Sequence, residues 1–89
     1  MQVRHGEYQG WKNRQTWNVA LWIRHTNSLY SKACDYANMR RAHGLSITYK
    51  GFIDYANLGN GRRTPDNISW SGTRLDYSAL DQMLCDLVN

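Results

Sequence analysis

The sequence predicts an all-α fold: one compact domain of about four helices with an aromatic-rich first helix at its centre. Polar residues able to cap a helix stand before apolar-periodic segments at Asn13 or Thr16, Asn27 or Ser28, Thr48, and Asp76. Within those segments apolar residues recur at helical spacing. The chain has 89 residues, the length of one domain, and carries four Trp and six Tyr. Aromatic rings bury large areas, so a few of them enlarge a core that a short chain could not otherwise fill.

Residues 1–12, which include "MQVRHGEYQGW", are polar and glycine-punctuated and read as an irregular arm, with Tyr8 and Trp11 as its anchors. Residues 13–89 form the helical domain. The first helix starts within "NRQTWNVALWI". With Trp17 at zero on a helical wheel, Leu21 falls at about 40°, Trp22 at about 140°, Val19 at about 200°, Ile23 at about 240° and Ala20 at about 300°. A helix apolar nearly all round is one surrounded by the rest of its domain. Trp17, Leu21, Trp22 and Ile23 are therefore expected in the core. Arg14, Asn18 and His25 form one narrow polar stripe on this rod.

The second helix runs through "HTNSLYSKACDYANMRRAHG". Gly44 ends it, and Arg40, Arg41 and His43 suit the negative end of its dipole. Tyr30, Ala33, Cys34 and Ala37 share one face, and the short connection makes a hairpin with the first helix. In "SITYKGFIDYANLGNG", Ile47 and Tyr49 alternate with polar residues as a strand would. Tyr49, Phe52, Ile53 and Ala56 instead follow helical spacing, with Thr48 as cap and Gly59 as stop. The helical pattern covers more residues. A loop follows, with a turn at Asn60-Gly61 and a single helical turn expected at Thr64-Pro65-Asp66. Ile68 and Trp70 point inward from it. The last helix starts at Asp76, with Tyr77, Leu80, Leu84 and Leu87 or Val88 as its stripe. The expected core is Trp17, Leu21, Trp22, Ile23, Phe52, Ile53, Trp70, Leu80 and Leu84.

The net charge is +4, and it is uneven: ten basic residues face three acids over residues 1–63, and one faces four over residues 64–89. That layout permits an acidic partner for the first part, or the acidic segment folding back to neutralise it. No stretch is long and apolar enough to span a membrane, and the first residues lack the apolar run of a signal peptide. Cys34 and Cys85 make no disulfide framework and fall where Cys acts as a small hydrophobe, which fits a reducing cytoplasm.

The chemistry-bearing residues support binding better than catalysis. His5, His25, His43, Cys34 and Cys85 lack metal-ligand spacing, "GNG" is too short for a phosphate loop, and a thiol on an apolar helix face stays protonated. No catalytic residue, metal or cofactor is expected. The stripe Arg14, Asn18 and His25 has two readings. It is an exposed strip that contacts a macromolecule, or Asn18 bonds backbone inside the fold while Arg14 closes over Trp17. The basic set Lys32, Arg40, Arg41, Lys50, Arg62 and Arg63 could follow phosphates while Tyr36, Tyr49 or Tyr55 stack on bases, or could form a solvated surface.

The segment "GWKNRQTWNVALWI", with "TPDNISW" and "RLDYSALDQML", resembles a family of small uncharacterised proteins from bacteriophages and cyanobacteria. Their motif reads approximately G-W-x-N-[RY]-x-T-W-x-V-x-L-W, then T-P-D-G, an aromatic residue and L-D-x-x-x-L. The resemblance implies a phage-linked accessory protein of compact helical build. Together with the missing catalytic motifs and the small size, it leads to the expectation of a protein that binds a host protein complex, of the defence or transcription kind, in the host cytoplasm. Direct, sequence-nonspecific nucleic-acid binding is the alternative. This chain has Asn67 where the family has Gly, and the basic "RHTNSLY" where an acidic segment is common.

Overall fold

The computed structural model describes residues 10–88; the arm expected over residues 1–12 lies, as far as residue 9, outside the described residues. Four helices follow in chain order: α1 (Arg14–His25), α2 (Asn27–Ala42), α3 (Tyr49–Tyr55) and α4 (Tyr77–Asp86). Among the described residues the only β pairing is one antiparallel bridge between Arg63 and Ser69. The protein is all-α.

Side chains start three of the helices. Asn13 accepts from the Thr16 amide at the head of α1, Thr48 from the Gly51 amide at α3, and Asp76 from the Ala79 amide at α4. Each satisfies one amide that has no partner within its helix. The start of α2 differs from the expected Asn27 or Ser28 cap. Thr26, in extended conformation, is both the end of α1 and the start of α2. One residue thus makes the whole connection, and α2 turns back against α1.

The ends of α2 and α3 follow one hydrogen-bond pattern. After α2, the Leu45 amide donates to the Arg40 carbonyl and Gly44 to that of Arg41, with Gly44 at φ +68°. After α3, the Leu58 amide donates to Ile53 and the Asn57 amide to Asp54, with Asn57 at φ +58°. A left-handed residue just past a helix closes it this way, and Asn is tolerated there. The stop of α3 is therefore Asn57 and not Gly59.

Helix α4 touches all three other helices, α2 also packs on α3, and α1 packs on α2 and α4. The core holds Val19, Ala20 and Ile23 of α1, Ala33, Tyr36 and Ala37 of α2, Tyr49, Phe52 and Ile53 of α3, Leu80, Met83 and Leu84 of α4, and Trp70 and Leu75 of the loop. Tyr49 is fully buried, and its hydroxyl donates to the Trp70 carbonyl at 2.5 Å. Its amide donates to Asp81 at 2.7 Å, so one residue ties α3 to both the loop and α4.

Three expected core residues stand elsewhere. Trp17, Leu21 and Trp22 are half-buried. The buried arc of α1 runs through Asn18, Val19, Ile23, Thr16 and Ala20, from about 100° to about 300° on the wheel. Trp17 and Leu21 fall outside that arc, beside exposed Arg14, Arg24 and His25. Trp22 sits within it but packs against the core only in part. On α2, Tyr30 is exposed and Tyr36 takes the core place expected for it.

Candidate functional site

The polar residues of the first motif form a network with the loop. Asn13 accepts from the amide and the hydroxyl of Thr16, at 2.9 and 2.6 Å, and donates to the Arg74 carbonyl at 2.7 Å. The Thr16 hydroxyl accepts from the Asp76 amide at 2.9 Å. Asn18 accepts from the Thr64 hydroxyl at 2.7 Å and donates to the Asp66 carboxylate at 2.8 Å. Trp22 donates its indole N–H to the same Asp66 oxygen at 2.9 Å. Hydrogen bonds from Asn18 and then Trp22, with the Arg14 charge behind them, hold the Asp66 carboxyl below the usual Asp range. Thr16, Asn18 and Thr64 are buried, and among the described residues no buried side-chain polar atom lacks a partner. Such a network fixes one arrangement of the loop against α1.

The stripe Arg14, Asn18 and His25 is thereby divided. Asn18 is inside, bonded to side chains and not to backbone, while Arg14 and His25 are exposed. Asn18 cannot be an external contact residue, because burial removes it from reach.

The basic set divides too. Arg40 is half-buried; its Nε donates to the Ser46 carbonyl at 2.7 Å and its guanidinium lies over the Tyr36 ring. Arg41 donates to the Val88 carbonyl. Lys50 lies over the Tyr77 ring, 5.5 Å from its centroid. Arg63 donates to the Asn67 carbonyl at 3.1 Å. Lys32 and Arg62 are exposed. The rings offered for base stacking are reduced to Tyr55, because Tyr36 and Tyr49 are buried. The four C-terminal carboxylates bond to amide and indole N–H groups: Asp66 to Asn18 and Trp22, Asp76 to Ala79, Asp81 to Tyr49 and Asp86 to Gln82. Asp66 and Asp81 thereby tie separate elements together, while Asp76 caps α4 and Asp86 bonds within it.

Beside α1, two shallow clefts share Trp11 and Arg24. One, of about 150 Å³, is lined by Trp17, Leu21 and His25 as well; the other, of about 470 Å³, continues to Met83 and Leu87 of α4. A third cleft, of about 350 Å³, lies between the head of α1 and the loop, with Arg63 and Arg74 in its wall. Arg24 and Arg74 were missing from the expected set. Arg24 follows Ile23 in the sequence, and only the wheel position beside Trp17 marks it. Among the described residues no group of three or more His, Cys, Asp or Glu side chains could hold a metal ion. Cys34 and Cys85 are half-buried free thiols. Among the described residues no helix is long and apolar enough to cross a membrane.

A family model matches residues 4–89, nearly the whole chain. The chain belongs to a family of unknown function, DUF7249. The match includes the "GWKNRQTW" and "TPDNISW" segments, whose polar residues form the α1–loop network. Asn67 has φ +68°, a left-handed conformation that glycine adopts without strain and Asn tolerates. No curated protein and no solved structure matches the chain.

Proposed function

We propose that the protein is a phage-linked accessory protein of the host cytoplasm that acts by binding a host protein complex, of the defence or transcription kind. The contact surface is the pair of clefts along α1 and α4. One observation carries this reading: half-buried Leu21 lies beside exposed Arg24 and His25 in a cleft that half-buried Trp11 also lines. Partly exposed Trp and Arg are the residue types that dominate the energy of protein contacts. Arg24 and His25 beside these apolar groups suit an acidic segment carrying an apolar side chain. The reading assigns the chain no catalytic step, metal or cofactor.

Direct nucleic-acid binding draws less support, because Tyr36 and Tyr49 are inside the core and Arg40, Arg41 and Lys50 engage their own chain. Capture from host lysate, with and without nuclease, tests both readings. The proposal expects nuclease-resistant capture of a host complex that Leu21→Asp with Arg24→Glu abolishes and Lys32→Glu leaves intact. Thermal melting of each variant separates lost contact from lost fold. Capture that disappears on nuclease treatment, or that the cleft variant retains, overturns it.

A further inference from the structure

The third cleft is the one with the chemistry of an anion site. Its wall consists of Gln15 from α1 and Arg63, Asn67, Ile68, Ser69, Gly72, Thr73, Arg74 and Leu75 from the loop. Among the described residues its wall includes two arginines and no acidic residue. The only acids of residues 57–76 are Asp66 and Asp76. Asp66 accepts from Asn18 and Trp22, and Asp76 caps α4 through Ala79.

Arg63 and Arg74 stand eleven positions apart in the loop, and each is fixed nearby. Arg63 sits on the bridge to Ser69 and donates once to the Asn67 carbonyl. The Arg74 carbonyl is held by Asn13, and two residues on, the Asp76 amide is held by Thr16. Thr64, next to Arg63, is tied to buried Asn18. The cleft is thus built before any ligand arrives, which lowers the cost of binding.

We infer that this cleft binds a small organic phosphate monoester between Arg63 and Arg74. A guanidinium offers planar paired donors that match phosphate oxygens, and two of them suit a dianion better than a single carboxylate. The Ser69 and Thr73 hydroxyls and the Gln15 amide are further donors to phosphate or to sugar hydroxyls. Half-buried Ile68 and buried Leu75 give an apolar floor. A volume of about 350 Å³ lies at the small end of ligand sites. Among the described residues no aromatic ring lines the cleft, so recognition rests on the phosphate and not on a stacked base.

Amide NMR titrations of the whole chain test this, with ribose 5-phosphate, inorganic phosphate, ribose, and a short single-stranded oligonucleotide with or without a 5′-phosphate. The expected result is saturable shifts at Arg63, Asn67, Ser69, Thr73 and Arg74 with ribose 5-phosphate and phosphate, and none with ribose. Arg74→Gln weakens binding at least about tenfold, while Arg41→Gln leaves it unchanged. Shifts from the oligonucleotide that require its 5′-phosphate agree with the same chemistry. Tighter binding of both oligonucleotides than of ribose 5-phosphate overturns the proposal in favour of a nucleic-acid backbone. Absence of saturable shifts up to about 10 mM, or equal weakening by Arg41→Gln, overturns it outright. None of these outcomes depends on the α1–α4 surface.

Discussion

The Thr64 hydroxyl donates to the Asn18 side-chain oxygen at 2.7 Å, across forty-six positions of sequence, with both residues buried. The bond holds the long loop onto α1. Removing one partner strands the other, and a stranded buried polar group costs about 1–3 kcal/mol. Asn18→Ala should therefore destabilise by about 2 kcal/mol and lower Tm by about 8–16 °C. Thr64→Val alone should cost a similar amount. The double variant should cost less than the two combined, with a coupling of about 0.5–3 kcal/mol by chemical denaturation. Strict additivity would mean that the bond does not form in solution.

Gly51 lies inside α3, where Ala would normally stabilise by about 1 kcal/mol. A Cβ built there would lie 2.2 Å from the Tyr36 hydroxyl oxygen, which accepts from the Thr48 amide. Tyr36 is buried, so its ring cannot swing clear. Gly51→Ala should destabilise by about 1–3 kcal/mol, as overpacking does. In a Tyr36→Phe background the same substitution should cost less, because the closest atom is gone. Urea denaturation of the four proteins measures this.

The four-helix plan was legible because Asn13, Thr48 and Asp76 announce helix starts that do not depend on distant residues. The burial of α1 was only partly legible. A wheel records which residues are apolar, and Trp17, Leu21 and Ile23 look alike on it. Only Ile23 faces the neighbouring helices, since the positions of α2 and α4 decide which arc is covered. The place of Asn18 stayed open between surface and interior for the converse reason. A polar residue reads as surface unless its partner is known, and its partners stand at Thr64 and Asp66. The candidate site suffered most. Arg63 and Arg74 are brought to one cleft by a loop with little regular structure, which periodicity does not describe.

Asn67 closes the turn from Thr64, where its amide donates to the Thr64 carbonyl at 2.8 Å with φ +68°. A residue with an ordinary side chain pays about 1–2 kcal/mol in that conformation, and Gly pays nothing for its Cβ. Asn67→Gly should hold stability within about 0.5 kcal/mol of the parent, while Asn67→Ala should lose about 1 kcal/mol or more. Equal melting of the Gly and Ala variants would contradict a left-handed residue at this position.

Stability should fall at both ends of the pH scale, for opposite reasons. Hydrogen bonds from Asn18 and Trp22 hold the folded Asp66 carboxyl below its ordinary value. Its contribution is therefore fully present above the unfolded value of about 4 and is lost as pH falls through the lower folded value. Burial, followed by the nearby Tyr77, pushes the Tyr49 phenol well above its ordinary value. Its contribution is present below about pH 10 and is lost as pH rises, because the unfolded chain ionises first. Denaturation at a series of pH values should show Asp66→Asn flattening the acid limb alone. Ultraviolet titration should show Tyr49 ionising only with the alkaline unfolding transition, and its ionisation in a still-folded chain would contradict the buried bond to Trp70.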